Sequence, residues 1–257
     1  MDPSRNFVES LARGLSILTA LTNRARPLSL TELSKELGLS VSTIQRLTYT
    51  LQRLGYLQRN QENKKFWLTP KILSLGLHYL SDSDLTQVAY PYLQELSQET
   101  NETINLIILD EEEVVYIQRI PTPQLLHSGV RLGSRFPAYC TSGGKAILAF
   151  LPESRIEAIL KKMDFKSFTP YTITNRQTLL QELNEIKIRG FASCNEEIII
   201  GIKGVAAPIR NYEGEVVAAV HISIPSVRIK SNEWEAIWGG KVMIAAAKIS
   251  SAMGYHE

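Results

Sequence analysis

Apolar residues recur at Leu11, Leu15, Leu18 and Leu21, three to four apart, which traces one face of an α-helix. The run from Arg24 to Pro27 ends it. Ser29 then stands three residues ahead of Glu32, the reciprocal arrangement in which a hydroxyl and a carboxylate satisfy the first amides of a helix. Leu30, Leu33 and Leu37 give that second helix an apolar side, and Gly38 suits its end because glycine accepts the left-handed conformation of a tight turn. Ser40 caps a third helix. At 100° per residue, Ile44, Leu47, Thr48, Leu51 and Leu54 crowd one side of it, Ser42, Arg46, Tyr49 and Arg53 lie opposite, and Gln45 borders them. Beyond Gly55, "YLQR" and "KFWL" read as two strands around the polar turn "NQENK", with Lys64 and Lys65 near its tip.

The pattern then changes. Thr69-Pro70 is a good helix start, since proline suits the first helical position, and Ile72, Leu73, Leu75 and Leu77 continue a connecting helix over 70–81. Ser81 to Asp84 restart the pattern, and "LTQVAYPYLQELSQET" is helical in period with a kink or break expected at Pro91. "TINLIILD" and "VVYIQRI" form a hairpin around the acidic cluster Asp110 to Glu113; "GVAAPIRN" and "EVVAAVHISIP" form another. Segments 152–162, 176–189 and 231–252 have helical period, the last capped by Ser231 with Glu233 and Glu235 in its first turn. Strand pairs alternating with helices argue for the α+β class, an antiparallel sheet with helical cover. The expected organisation is a domain over 1–69, a linker helix over 70–81 and a second domain over 82–257.

Charge sharpens the division. The chain of 257 residues carries a formal net charge of only +2, but residues 1–80 hold 11 Lys/Arg against 5 Asp/Glu while the remainder holds 17 against 21. A basic front on an acidic remainder suggests that one end meets a polyanion. Two distant cysteines, Cys140 and Cys194, imply neither a disulfide framework nor a metal site. The first twenty residues have no apolar core of a signal peptide, and no apolar run approaches the roughly 20 residues of a membrane span. A cytoplasmic protein without cofactor or membrane contact is expected.

Two helices joined by a short glycine-containing turn, the second presenting cationic and hydrogen-bonding groups, match a helix-turn-helix; the basic hairpin would make it winged. The major groove of double-stranded DNA admits such a helix, where Arg pairs with guanine and Gln with adenine. Ser42 and Thr43, near the helix start, are placed to hold phosphates.

"CTSGGKAIL" is the most chemical-looking stretch of the second half: small residues opening a helix leave amides open to an anion. It lacks the upstream glycine and the Ser or Thr after Lys145 that a Walker A loop needs. His221 and Ser223 share one strand face by their period-2 spacing. His78, His127, His221 and His256 are scattered, and no HExxH or GxSxG motif occurs. The competing reading is a small-molecule enzyme with its pocket around residues 138–146 and Cys140 as nucleophile. A winged helix used only for protein contacts is a third, separable from DNA binding by salt dependence.

"SLTELSKELGLSVSTIQRLTYTLQRLGYL" resembles the corresponding stretch of the IclR family of bacterial transcription regulators, as do "VRLGSRFPAYCTSGGKAILAF" and "RGFASCNEEIIIGIKGVAAPIRNYEGEVVAAVHISIP", in the same order and over nearly the whole chain. One departure is Val41, where a Lys is common in the family. The resemblance implies a winged helix-turn-helix domain, a linker helix and a ligand-sensing domain with a GAF-like fold, assembled as a dimer or tetramer on a near-palindromic operator. The candidate DNA contacts are Thr31, Ser40, Ser42, Thr43, Gln45, Arg46, Tyr49, Arg53, Lys64 and Lys65. For the effector, a small organic acid of aromatic or short keto type, the resemblance implies Ser142 and Gly143 as amide donors to its carboxylate. Cys194, Gly204, His221 and Ser223 are expected to line its pocket, with His221 where the family often has a small hydroxyl.

Overall fold

The computed structural model describes residues 7–24, 26–75, 84–123, 129–229 and 231–256, and the chain divides into two units, 1–82 and 83–257.

In the first unit, helices α1 (Glu9–Arg24), α2 (Leu30–Leu37) and α3 (Val41–Arg53) precede a hairpin of β1 (Leu57–Arg59) and β2 (Phe66–Leu68). Ser29 makes the reciprocal capping pair with Glu32, and Gly38 ends α2 at φ 67°. Ser40 caps α3 by accepting the Thr43 amide. Ile17, Leu21, Leu28, Leu33, Ile44, Leu51, Leu57 and Phe66 form one core, and Leu28 exchanges both backbone hydrogen bonds with Phe66, pinning the hairpin to the α1–α2 connection. Three apolar positions depart from the expected burial. Leu54 lies just past α3 and is exposed, and Leu11 and Leu15 at the start of α1 are exposed as well.

Of the expected connecting helix, Pro70–Ile72 forms a 3-10 turn capped by Thr69. Residues 73–75 continue it as helix, and residues 76–81 lie outside the described residues.

The second unit opens with α4 (Asp84–Thr100), followed by the hairpin of β3 (Thr103–Asp110) and β4 (Glu113–Ile120) and by β5 (Arg135–Pro137). Helices α5 (Ser142–Leu148), α6 (Glu153–Leu160) and α7 (Arg176–Arg189) come next. Strands β6 (Ala192–Asn195), β7 (Ile202–Arg210) and β8 (Val216–Pro225) and helix α8 (Trp234–Ala252) complete the chain. The six strands form one antiparallel sheet in the order β5-β4-β3-β8-β7-β6. Helices α4 and α8 pack on each other and on the sheet, while α5 packs on β7 and β8 with α7 behind it. Helix α4 runs unbroken through Pro91, which sits on its exposed side while Ala89 and Leu93 bury the other. The helix α8 starts at Trp234, later than expected: Ser231 accepts the Glu233 amide in the turn before it and is not its cap. The fold is α+β, with a helix-turn-helix first unit and an antiparallel sheet covered by helices in the second.

Candidate functional site

The outward side of α3 carries Ser42, Gln45, Arg46, Tyr49 and Arg53, all exposed, above a buried side of Ile44, Thr48 and Leu51. Thr48 is polar yet buried because its hydroxyl donates to the Ile44 carbonyl one turn back. Ser42, Gln45, Arg46 and Tyr49 line a shallow groove walled by Leu30 of α2 and by Arg59 and Phe66 of the hairpin. The hydroxyls of Ser42 and Thr43 lie 3.0 and 2.8 Å from the Ser40 hydroxyl, so the three form one cluster at the helix start. Thr31 is exposed in the first turn of α2. Lys64 is exposed in the hairpin turn with φ 57°. Lys65 follows it, half-buried, with its ammonium 3.8 Å from Glu32 of α2.

In the second unit, the strand register assembles the other candidates. Cys194 pairs with Gly204 and Gly204 with Ser223 across the sheet; the neighbouring row runs from Ala206 through His221 and Asn105 to Arg119. The start of α5 lies over these rows. Together they line a half-open pocket with Tyr116, Phe136, Ile198 and Ile199 among its walls. Ser142, Cys194, Gly204, His221 and Ser223 all line it. Gly143 does not: a β-carbon there would come within 1.6 Å of Ile107 Cδ1, so its lack of a side chain lets α5 lie close on β3. Gly204 has a different reason to be glycine, since a β-carbon would sit 2.7 Å from His221 Nε2 and 2.9 Å from Ser142 Oγ.

His221 Nδ1 lies 3.0 Å from Asn105 Nδ2, and the Tyr116 ring meets the imidazole edge-on. Burial, with the Arg119 charge adding to it, holds the imidazole pKa down to about 3 from an ordinary 6.5. The unfolded chain therefore binds a proton near pH 6.5 that the native state refuses until about pH 3. Stability from this group is complete above pH 6.5 and falls as pH drops from there toward 3, by at most about 1.4 kcal/mol per unit. Urea unfolding is expected to show about 2 kcal/mol of this loss between pH 7 and pH 5, and His221→Gln to remove that part of the slope. An unchanged slope in the variant contradicts a buried neutral imidazole.

Cysteine chemistry does not fit this pocket. Cys140 is buried and its thiol is pushed well up by burial and by neighbouring Cys194 and Glu197. Burial and the Glu197 charge likewise push Cys194 up to about 12, and its thiol donates to the Cys140 carbonyl at 3.3 Å. A thiol held in its protonated form is a poor nucleophile. Among the described residues no group of three or more His, Cys, Asp or Glu could hold a metal ion, and no helix is long and apolar enough to cross a membrane.

Four residues bearing on this site escaped the sequence reading. Asn105, Tyr116 and Arg119 come from strands that looked like ordinary core and edge. Lys145 is fully buried and donates to Glu197 at 2.7 Å, with Glu182 at 3.9 Å. Burial, the largest single influence, would lower its pKa, but the Glu197, Cys194 and Glu182 charges and the hydrogen bond to Glu197 together raise it. The pair ties α5 to the loop after β6, whose Glu196 and Glu197 carbonyls are also held by the hydroxyls of Thr169 and Thr172. The same loop carries the pocket residues Ile198 and Ile199.

A helix-turn-helix with an exposed polar reading face, joined in one chain to a sheet domain with a half-open pocket, defines a DNA-binding regulator. The family model described as the IclR helix-turn-helix domain matches residues 10–61, and that described as the bacterial transcriptional regulator IclR C-terminal matches residues 77–251. The chain belongs to the IclR family of bacterial transcriptional regulators. It is 35% identical to the HTH-type transcriptional regulator KdgR of Escherichia coli K12, over all of this chain and 97% of KdgR. It is 35% identical to XynR of the same organism, over 97% of this chain and 98% of XynR. The crystal structure of the Thermotoga maritima IclR superposes with a TM-score of 0.75 at 32% identity, over 96% of this chain and 99% of that one. These relatives are regulators of transcription, not enzymes.

Proposed function

We propose that residues 1–69 read an operator, that 82–257 sense a small organic acid, and that 70–81 link the two. Two copies pair across a twofold axis and place their α3 helices in successive major grooves of a near-palindromic site. Gln45 and Arg46 meet base edges, Tyr49 and Arg53 extend the contact, and Ser40, Ser42, Thr43 and Thr31 meet phosphates along with Lys64 and Lys65. The observation that carries this reading is the exposed row Ser42, Gln45, Arg46, Tyr49 and Arg53 on a helix whose opposite side is fixed in a core. Exposed Leu11, Leu15 and Leu54 support self-pairing, since an apolar patch on a small domain marks an interaction surface. The full assembly is a dimer or tetramer.

The effector sits in the second-unit pocket with its carboxylate toward Ser142, and the rings of Tyr116 and Phe136 suit a flat or aromatic body. It shifts the regulator between DNA-binding arrangements only by its affinity difference between them. Thermal-shift screening against a panel of aromatic and short keto acids tests this part. A true effector at 100 times its Kd stabilises the protein by about 2.7 kcal/mol and changes operator affinity. A panel in which every acid leaves both the melting temperature and operator binding unchanged contradicts it, and turnover of a panel member would restore the enzyme reading.

A further inference from the structure

Arg119 and Asn105 face each other across the β3–β4 register, and Arg119 Nη1 lies 3.1 Å from Asn105 Oδ1. Guanidinium carries only donors, so the end of the Asn105 amide that meets it is the carbonyl oxygen. The other end, Nδ2, is therefore fixed as a donor, to His221 Nδ1 at 3.0 Å and to Ser223 Oγ at 3.2 Å. Nδ1 accepts that bond, so the single proton of a neutral imidazole lies on Nε2.

Nε2 and Ser142 Oγ both lie close against Gly204, 2.7 and 2.9 Å from where a β-carbon would stand, and both residues line the same pocket. Ser142 is buried, yet its hydroxyl has no hydrogen-bond partner among the described residues. A buried polar atom left without a partner is costly unless something else supplies one. Ser223 Oγ accepts from Asn105, which leaves its own hydrogen to donate. The floor of the pocket thus offers hydrogens at Ser142, His221 and Ser223.

We propose that Asn105 and Arg119 are positioning residues that fix His221 as a donor into the pocket beside Gly204, so that the pocket selects an ionised acceptor group such as a carboxylate over its carboxamide. This deepens, and rests on, the effector reading given above. A carboxylate presents acceptors on both oxygens, whereas a carboxamide presents one and brings N–H groups that meet other donors. Burial of the imidazole keeps it neutral, so the tautomer decides its role.

The test has two arms on the full-length protein. Nitrogen-15 NMR of histidine-labelled protein reads the tautomer without any ligand: wild type is expected to show a protonated Nε2 and an unprotonated Nδ1 at His221. Arg119→Met frees the amide to turn over and Asn105→Leu removes it, so each is expected to admit the Nδ1-protonated form. In the second arm, benzoate against benzamide and pyruvate against pyruvamide are titrated. Wild type is expected to prefer the acid by at least about tenfold, Arg119→Met to lose most of that preference, and Gly204→Ala to lose acid binding. Ser142→Ala is expected to weaken acid binding while leaving the melting temperature equal or higher, the opposite of a structural role. A protonated Nδ1 in wild type, a tautomer untouched by both variants, or equal affinity for acid and amide overturns the proposal. A protonated Nε2 with neither benzoate nor pyruvate bound overturns the effector reading and the ligand class, but not the orientation of His221.

Discussion

Lys145→Ala is expected to destabilise the second unit by about 3–5 kcal/mol, because it leaves the Glu197 carboxylate buried without its cation. Lys145 is 2% exposed and Glu197 7%, their charged atoms are 2.7 Å apart, and Glu197 Oε2 has no other partner among the described residues. For a domain of this size that loss lowers the melting temperature by roughly 6–20 °C. Removing both charges with Lys145→Met and Glu197→Met together is expected to recover most of it, since an apolar replacement of a buried pair is often neutral. Calorimetry of the two single variants and the double variant checks this, and additive losses in the double variant would contradict a coupled pair. The pair also holds α5 to the loop bearing Ile198 and Ile199, so the single variant is expected to bind any effector more weakly even where it stays folded.

Arg46→Ala is expected to weaken operator binding by about 5- to 150-fold and to relax preference at one base position. Arg46 is exposed beside Gln45 on α3 and borders the groove between α2 and the hairpin. A side chain that reads a guanine edge loses sequence discrimination when removed, whereas a phosphate contact loses affinity evenly across sequences and reduces the salt dependence. Binding to a randomised duplex library separates the two. The fold of the first unit is expected to be unchanged, since the core beneath α3 uses Ile44 and Leu51 rather than this side.

What the sequence made legible was mostly local. Ser29, Gly38 and Ser40 marked helix ends by capping chemistry that acts over three or four residues, and β-rich runs marked both long hairpins. The helix-turn-helix was readable for that reason: its parts are neighbours in the chain. The pocket was only half readable. His221 and Ser223 declared a shared face through their spacing, but Asn105 joins them from 116 positions away in sequence, through a β3–β8 pairing that no local period reveals. Lys145 could not be assigned a partner locally because Glu197 lies 52 residues on. Gly143 was expected as an amide donor and Gly204 as pocket lining; only the neighbours of an imagined methyl group show that Gly143 lets α5 close on β3 and Gly204 lets His221 and Ser142 close on β7.

The central claim is that α3 reads double-stranded DNA. Titrating the full-length protein on duplex libraries over a range of salt, beside Arg46→Ala, tests it most directly. The account predicts sequence-selective binding whose affinity falls with salt at a log–log slope near −0.9 for each phosphate neutralised, with selectivity impaired in the variant. Wild-type protein that ignores every duplex at low salt, or a variant with unaltered affinity and selectivity, would contradict it.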